Sequence, residues 1–161
     1  MLAAVNGVAV GAGMDMALMC DMRFVSESAR MSEGYVKVGL VPGDGGCYFL
    51  PRLVGTAKAL ELLWTGDFVD GPTAVELGIA NRCVPDDELQ EQTYAFAQRL
   101  AQGPPVAIRA IKRTVHQSAR TDLRTSLDLI SSHMAVVQST EDSAEAMSAF
   151  REKRTPHFRG R

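Results

Sequence analysis

Residues 3–21, AAVNGVAVGAGMDMALMCD, constrain the fold more than any other part of the sequence. Residues 3–5 and 8–10 form two apolar runs of strand length, too short for free-standing helices. Glycines at positions 7, 11 and 13 interrupt them. From about Ala12 the apolar residues Met14, Leu18 and Met19 recur with a helical period, and Ala17 joins them. The stretch therefore predicts a buried strand, a glycine turn and a helix that begins at the turn.

The start of this predicted helix is a candidate anion site. The first amides of a helix have no intrahelical partner, and Gly11, Ala12 and Gly13 are small enough for a ligand to reach them. Asp15 lies in the first turn, where a carboxylate suits the positive end of the helix dipole. Similar turns bind pyrophosphate in dinucleotide-binding folds. The pattern alone leaves close strand–helix packing, a dinucleotide site and an oxyanion site open.

The rest of the chain predicts an α/β front half and an all-helical back half. We expect further strands at residues 22–25, 29–31 and 81–84, and a glycine-rich loop at residues 33–46. Helices are predicted at residues 47–54, 57–64, 72–77, 87–101 and 106–119. A long helix capped by Asp122 runs to about residue 137, and a last helix begins at Thr140 or Glu141 and ends near residue 154. The two parts are residues 1–85 and 86–161.

Composition excludes several classes of function. The net charge of −2 over 161 residues gives no basic field for nucleic acid. The three cysteines, Cys20, Cys47 and Cys83, have no metal-ligand spacing, so we predict no metal site and expect them to be small core residues of a reducing compartment. Without a secretory leader or an apolar run of bilayer length, the expected compartment is the cytoplasm, and neither a membrane nor nucleic acid is an expected partner.

Four segments resemble the crotonase (enoyl-CoA hydratase/isomerase) superfamily, in the right order from about Ala3 to Phe158. They are AAVNGVAVGAGMDMALMCDMRF, VGLVPGDGG, FLPRLVGTAKALELLWTGDFVDGPTAVELGIANRCVPDDEL and DSAEAMSAFREKRTPHF. The resemblance implies an α/β fold, a partial ββα spiral over residues 1–85, followed by a helical trimerisation region over residues 86–161. It also implies an acyl-CoA thioester as substrate, no separate cofactor, and a homotrimer or hexamer.

The resemblance further assigns three catalytic roles. The amide of Ala12 would hold the thioester oxygen as it gains enolate charge. Asp15 stands at the family's first glutamate position and would be the acid/base. Tyr35 stands at the second, where a phenol with a pKa of about 10 can donate a hydrogen bond but is a poor base at neutral pH. Glu33 lies two residues earlier, at a position where the family often has another residue type.

The resemblance also implies substrate contacts in the glycine turn, the PGDGG loop and the last two helices: Gly11, Gly13, Gly43, Asp44, Met134, Phe150 and Lys153. Met134 stands where relatives place an aromatic near bound CoA, and Lys153 where a lysine can meet a CoA phosphate. Ordinary structural roles compete with these, as a turn residue for Asp44 and as packing residues for Met134 and Phe150.

Three hypotheses about function follow. The first is an enoyl-CoA hydratase or isomerase that stabilises a thioester enolate. The second is a fragment that binds CoA or oligomerises without catalysis, since family domains run to roughly 250 residues and about the first hundred would be absent here. The third is a short-chain-dehydrogenase-like reductase, which requires a Tyr-x3-Lys pair, whereas Tyr35 is followed by Lys37.

Overall fold

The computed structural model describes residues 1–161, which divide into two compact units, Met1–Phe96 and Ala97–Arg161. Unit 1 mixes helices with short strands, and unit 2 is helical, which confirms the predicted α/β class. None of the helices combines the length and apolar character needed to cross a bilayer.

Unit 1 alternates short strands with helices. Its elements are β1 (Leu2–Val5), β2 (Val8–Val10), α1 (Ala12–Met19), β3 (Met22–Ser26), β4 (Arg30–Ser32), a 3₁₀ helix (Gly34–Val38), α2 (Gly46–Val54), α3 (Thr56–Thr65), β5 (Val69–Asp70), α4 (Gly71–Glu76), β6 (Arg82–Val84) and the beginning of α5 (Leu89–Ala101). The 3₁₀ helix lies within residues 33–46, for which the sequence predicted only a loop.

Two three-stranded sheets organise unit 1. One is parallel with the order β1-β3-β6, and the other has the order β2-β4-β5, in which β2 and β4 are parallel. Val10 at the end of β2 pairs with Ser32 at the end of β4. Because the two strands run the same way, the segments that follow them, beginning with Gly11 and Glu33, leave from the same edge of the sheet.

The core of unit 1 is built from the apolar faces of these elements. Buried side chains of α1, β3, β4, α2 and α3 form its centre, among them Leu18, Val25, Met31, Leu50 and Ala59. Their burial fixes α1 and α2 against the strands, because removing apolar surface from water is the main force that holds such short elements in place.

A buried arginine closes the C-terminal end of α1. Arg23 donates to the carbonyl oxygens of Ala17, Leu18 and Cys20 at 3.1, 3.3 and 2.7 Å, and to that of Ile79 at 2.5 Å. The last carbonyls of a helix lack intrahelical donors. Arg23, which is buried, supplies donors to them from within unit 1.

Unit 2 contains α6 (Pro105–Ser118), α7 (Leu123–Gln138) and α8 (Glu141–Glu152) after the end of α5. The side chain of Asp122 accepts hydrogen bonds from the amides of Arg124 and Thr125, and Thr140 accepts from Ser143, so both predicted helix starts carry N-caps. The facing sides of α6 and α7 line an apolar groove that includes Ile111, Val115, Ile130, His133 and Met134.

One prediction about the cysteines is wrong. Cys47 is exposed, whereas Cys20 and Cys83 are half-buried, and all three are free thiols. Cys47 is the second residue of α2, and the buried side of that helix is set by Gly46 and Leu50, so its own side chain points to solvent.

Candidate active site

The start of α1 presents amide donors at an exposed position. Gly11 has φ +54°, a conformation that favours glycine, and its N–H donates to the carbonyl of Ser32 at 2.8 Å. The first intrahelical bond runs from the amide of Asp15 to the carbonyl of Gly11 at 2.9 Å. Ala12 and Gly13 precede that bond and are exposed. No side chain caps this helix, so its first amides are open to an external acceptor.

Asp15 is fully buried one turn into the same helix. Its Oδ2 accepts a hydrogen bond from the phenol of Tyr35 at 3.1 Å and from the amide of Asp44 at 3.3 Å. Its Oδ1 has no hydrogen-bond partner. The 3₁₀ helix and the PGDGG loop thus hold Oδ2 of Asp15 by hydrogen bonds, whereas Oδ1 is buried without a partner.

The phenol of Tyr35 lies between two carboxylates. It also contacts Oδ2 of Asp44, at 3.0 Å, and a phenol has only one proton to donate to the two acceptors. Desolvation, followed by the hydrogen bonds to Asp44 and Asp15 and their charges, raises the pKa of Tyr35 above its ordinary value. Tyr35 is therefore a hydrogen-bond donor here and not a base.

A second buried carboxyl, Glu33, adjoins Asp15, and no role was predicted for it from the sequence. Its side chain is 1 % exposed, and neither of its oxygens has a hydrogen-bond partner. A Cβ placed on Gly46 would lie 2.5 and 2.6 Å from the two Glu33 oxygens and 2.6 Å from Oδ1 of Asp15. Burial, followed by the charge of Asp15, raises the pKa of Glu33 to about 8. The placement of Glu33 beside Asp15 follows from the parallel pairing of β2 with β4, which the sequence does not reveal.

The remaining predicted residues fall in two places. Gly43 is exposed in the loop beside Asp44, within unit 1. Met134, Phe150 and Lys153 belong to unit 2. Met134 lines the groove between α6 and α7, the Phe150 side chain is 81 % exposed on α8, and Lys153 ends α8 with φ +55°. No group of three or more His, Cys, Asp or Glu has an arrangement suited to a metal ion.

Comparison with known proteins decides the family. A family model described as enoyl-CoA hydratase/isomerase matches residues 1–161. The chain belongs to the enoyl-CoA hydratase/isomerase family. This confirms the resemblance found in the sequence and argues against the reductase hypothesis.

Individual members of the enoyl-CoA hydratase/isomerase family show how far the similarity extends. A short-chain-enoyl-CoA hydratase of Clostridioides difficile is 38% identical over 150 residues, covering 93% of this chain and 96% of that protein. A crotonyl-CoA hydratase of Syntrophomonas wolfei is 34% identical over 157 residues, covering 98% of this chain and 60% of that protein. An enoyl-CoA hydratase subunit from Geobacillus kaustophilus, known from a crystal structure, is 40% identical in sequence and superposes with a TM-score of 0.96. The match covers 100% of this chain and 63% of that one. The chain thus spans about three fifths of the length of the last two.

Proposed function

We propose that this chain acts on acyl-CoA thioesters as an enoyl-CoA hydratase or isomerase, with the start of α1 as its oxyanion site and Asp15 as its acid/base. The observation that carries the proposal is that exposed, uncapped amides and a buried, hydrogen-bonded carboxyl occur on one helix. Ala12 and Asp15 are three residues apart, so they lie on the same helical face.

The amide of Ala12 stabilises the negative charge that develops on the thioester oxygen. The α-proton of a thioester is weakly acidic, so it leaves only if the oxygen that becomes negative is stabilised as the proton departs. A fixed amide at a helix start supplies a hydrogen bond and a partial positive charge without reorganisation, and one such donor typically contributes about 3–4 kcal/mol.

Asp15 accounts for the proton transfer. In an isomerisation its carboxylate takes a proton from the carbon next to the thioester carbonyl, and the C–H electron pair moves into the carbonyl to form a dienolate. The double bond shifts when the same proton returns to the far carbon of the dienolate. In a hydration, the hydroxyl of water adds to the β-carbon and a proton adds to the α-carbon. Tyr35 holds Oδ2 of Asp15 in place for either reaction.

The proposal extends to the substrate contacts and the assembly. The glycines Gly11, Gly13 and Gly43 let the thioester approach the backbone, and Asp44 orients Tyr35. We keep Met134, Phe150 and Lys153 as proposed contacts for CoA. The exposed apolar groove of α6 and α7 supports self-association of unit 2 as a trimer or hexamer, which light scattering coupled to size exclusion would test.

The activity is tested by assaying the purified chain with crotonyl-CoA and with a 3-enoyl-CoA. Turnover of the first identifies a hydratase and of the second an isomerase. Asp15→Asn should lower kcat by about 10²–10⁴-fold, while Asp67→Asn, at an exposed position, is the matched control. Binding of CoA with no turnover of either substrate would contradict the proposal and favour the non-catalytic CoA-binding alternative.

A second variant tests the oxyanion site. Ala12→Pro removes one N–H at the first helical position, where proline is tolerated. It should cost about 10²–10³-fold in kcat, and Ala12→Gly, which keeps the N–H, should lose far less. Equal losses in the two variants would exclude the amide of Ala12 as the donor.

A further inference from the structure

The carboxyls of Asp15 and Glu33 form a buried pair without an ion-pair partner, and only Oδ2 of Asp15 accepts hydrogen bonds from neighbouring groups. Asp15 is 0 % exposed and Glu33 is 1 % exposed. Oδ1 of Asp15 and both oxygens of Glu33 lack any other hydrogen-bond partner. Since one Asp15 oxygen and both Glu33 oxygens lie within 2.6 Å of the same point beside Gly46, the oxygens of the two residues are at most about 5 Å apart.

No cation faces this pair. Neither carboxyl takes part in an ion pair. Arg30 of β4 lies over the ring of Phe68, with 4.6 Å from its Cζ to the ring centroid, and Lys37 of the 3₁₀ helix packs against Gly66 and that same ring.

The other titratable groups that face the pair are themselves acidic and cannot neutralise it. Tyr35 and Asp44 face Asp15 from the 3₁₀ helix and the PGDGG loop, and both are acidic groups. Helix α2 presents Gly46 and has no charged residue in its first turn. Two buried carboxylates without a cation repel each other strongly, and one proton shared between them removes most of that cost.

We propose that Glu33 is a positioning residue that shares one proton with Asp15, donating it to Oδ1 so that Oδ2 faces the substrate as the reactive oxygen. The shared proton keeps a single negative charge on the pair. It also holds the Asp15 carboxyl through Oδ1, the oxygen that Tyr35 does not contact, and leaves Oδ2 to exchange protons with the acyl chain. Two full charges there would oppose the enolate that forms at the start of α1. The ionisation of the pair is independent of the proposed function, whereas its effect on turnover rests on it.

The ionisation is measured without any substrate. At pH above about 6.5 ordinary carboxyls are ionised, so a carboxylic-acid carbonyl band in the infrared spectrum of the wild-type protein reports a retained proton. The band should be present at neutral pH and disappear with a midpoint near pH 8. Glu33→Gln should abolish it, and Glu76→Gln, at an exposed position, should leave it unchanged.

A further variant keeps the proposal testable if Glu33→Gln does not fold. Asp15→Asn removes the neighbouring charge, so the band of Glu33 should disappear about one pH unit or more lower. A wild-type protein with no such band at neutral pH, or a band that survives in Glu33→Gln, would overturn the shared proton.

The positioning role is measured by the pH profile of turnover. In the wild type, kcat/KM should fall tenfold per pH unit above about pH 8, as the pair loses its last proton. Glu33→Gln, whose amide still donates to Asp15, should stay within about tenfold of wild type at neutral pH and lose this alkaline fall. Glu33→Leu, which cannot donate, should lose at least tenfold in kcat with little change in KM.

The outcomes separate the two proposals. If the band behaves as expected and no acyl-CoA is turned over, the shared proton stands and the proposed function fails. If turnover is found and Glu33→Gln keeps the wild-type alkaline fall, the positioning role is wrong and the proposed function stands.

Discussion

The phenol of Tyr35 donates a hydrogen bond to Oδ2 of Asp15 at 3.1 Å, although twenty residues separate them in the chain. The resemblance implies a second glutamate at this position, where the structure has a phenol that donates to Asp15. The ring of Tyr35 also lies beside Gly11, where an added Cβ would be 3.4 Å from it. Tyr35 therefore connects the glycine turn to the buried acid.

Removing only this hydroxyl tests its contribution. Tyr35→Phe keeps the ring beside Gly11 and removes the donor to Asp15, so it should lower kcat by about 10–100-fold while changing the free energy of unfolding by only about 1 kcal/mol. Steady-state kinetics and urea denaturation measure the two effects. Tyr94→Phe, at an exposed position, is the control. A loss as large as that of Asp15→Asn would mean that Tyr35 itself transfers the proton.

The titration of Glu33 should make stability depend on pH. In the unfolded chain this carboxyl releases its proton near its ordinary pKa of 4.5, but in the folded chain it retains the proton up to about pH 8. The folded state therefore binds more protons between these values. The stabilisation is fully present below pH 4.5 and is lost as pH rises through about 8, by an amount on the order of a few kcal/mol.

Denaturation at several pH values checks this expectation. In Glu33→Gln the free energy of unfolding should change little from pH 5 to 9, the range over which the wild type loses stability. Arg154 lowers the pKa of Glu145 to about 2, so that residue changes stability only below pH 4.5 and does not interfere. An equal slope in wild type and Glu33→Gln would refute the prediction.

The local parts of the fold and site could be predicted from the sequence, whereas the contacts between segments distant in the chain could not. The strand, turn and helix around Ala12 follow from a change of apolar period within about twenty residues, although Val8 and Val10 of that strand are exposed and not buried as predicted. Asp122 was recognisable as an N-cap. The contact between Asp15 and Glu33 depends on the parallel pairing of Val10 with Ser32, which no local pattern specifies. The exposure of Cys47 likewise depends on which face of α2 is buried.

The buried Arg23 should be worth much of the stability of α1. Arg23→Met keeps the apolar stem but removes the donors to four carbonyls, so it should lower the free energy of unfolding by about 3 kcal/mol. Urea denaturation measures this, and Arg124→Met, at an exposed position of α7, is the control. A loss below about 0.5 kcal/mol would show that water replaces these donors.

Gly46 should be intolerant of a side chain because of the carboxyl pair. It is the first residue of α2 and has no positive φ, so alanine would ordinarily favour the helix. The new Cβ would approach Glu33 and Asp15 to 2.5–2.6 Å, however, and the carboxyls must separate. We expect Gly46→Ala to lose about 1–3 kcal/mol of stability and to lower kcat.

The control for this variant is Gly7→Ala, between β1 and β2. An alanine Cβ at Gly7 meets no atom within 4 Å and its φ is not positive, so both stability and kcat should stay close to wild type. Since separating the pair leaves Asp15 without the donor from Glu33, the alkaline fall of kcat/KM should also weaken in Gly46→Ala. A Gly46→Ala protein with wild-type stability and an unchanged pH profile would mean that the two carboxyls do not meet at this helix start.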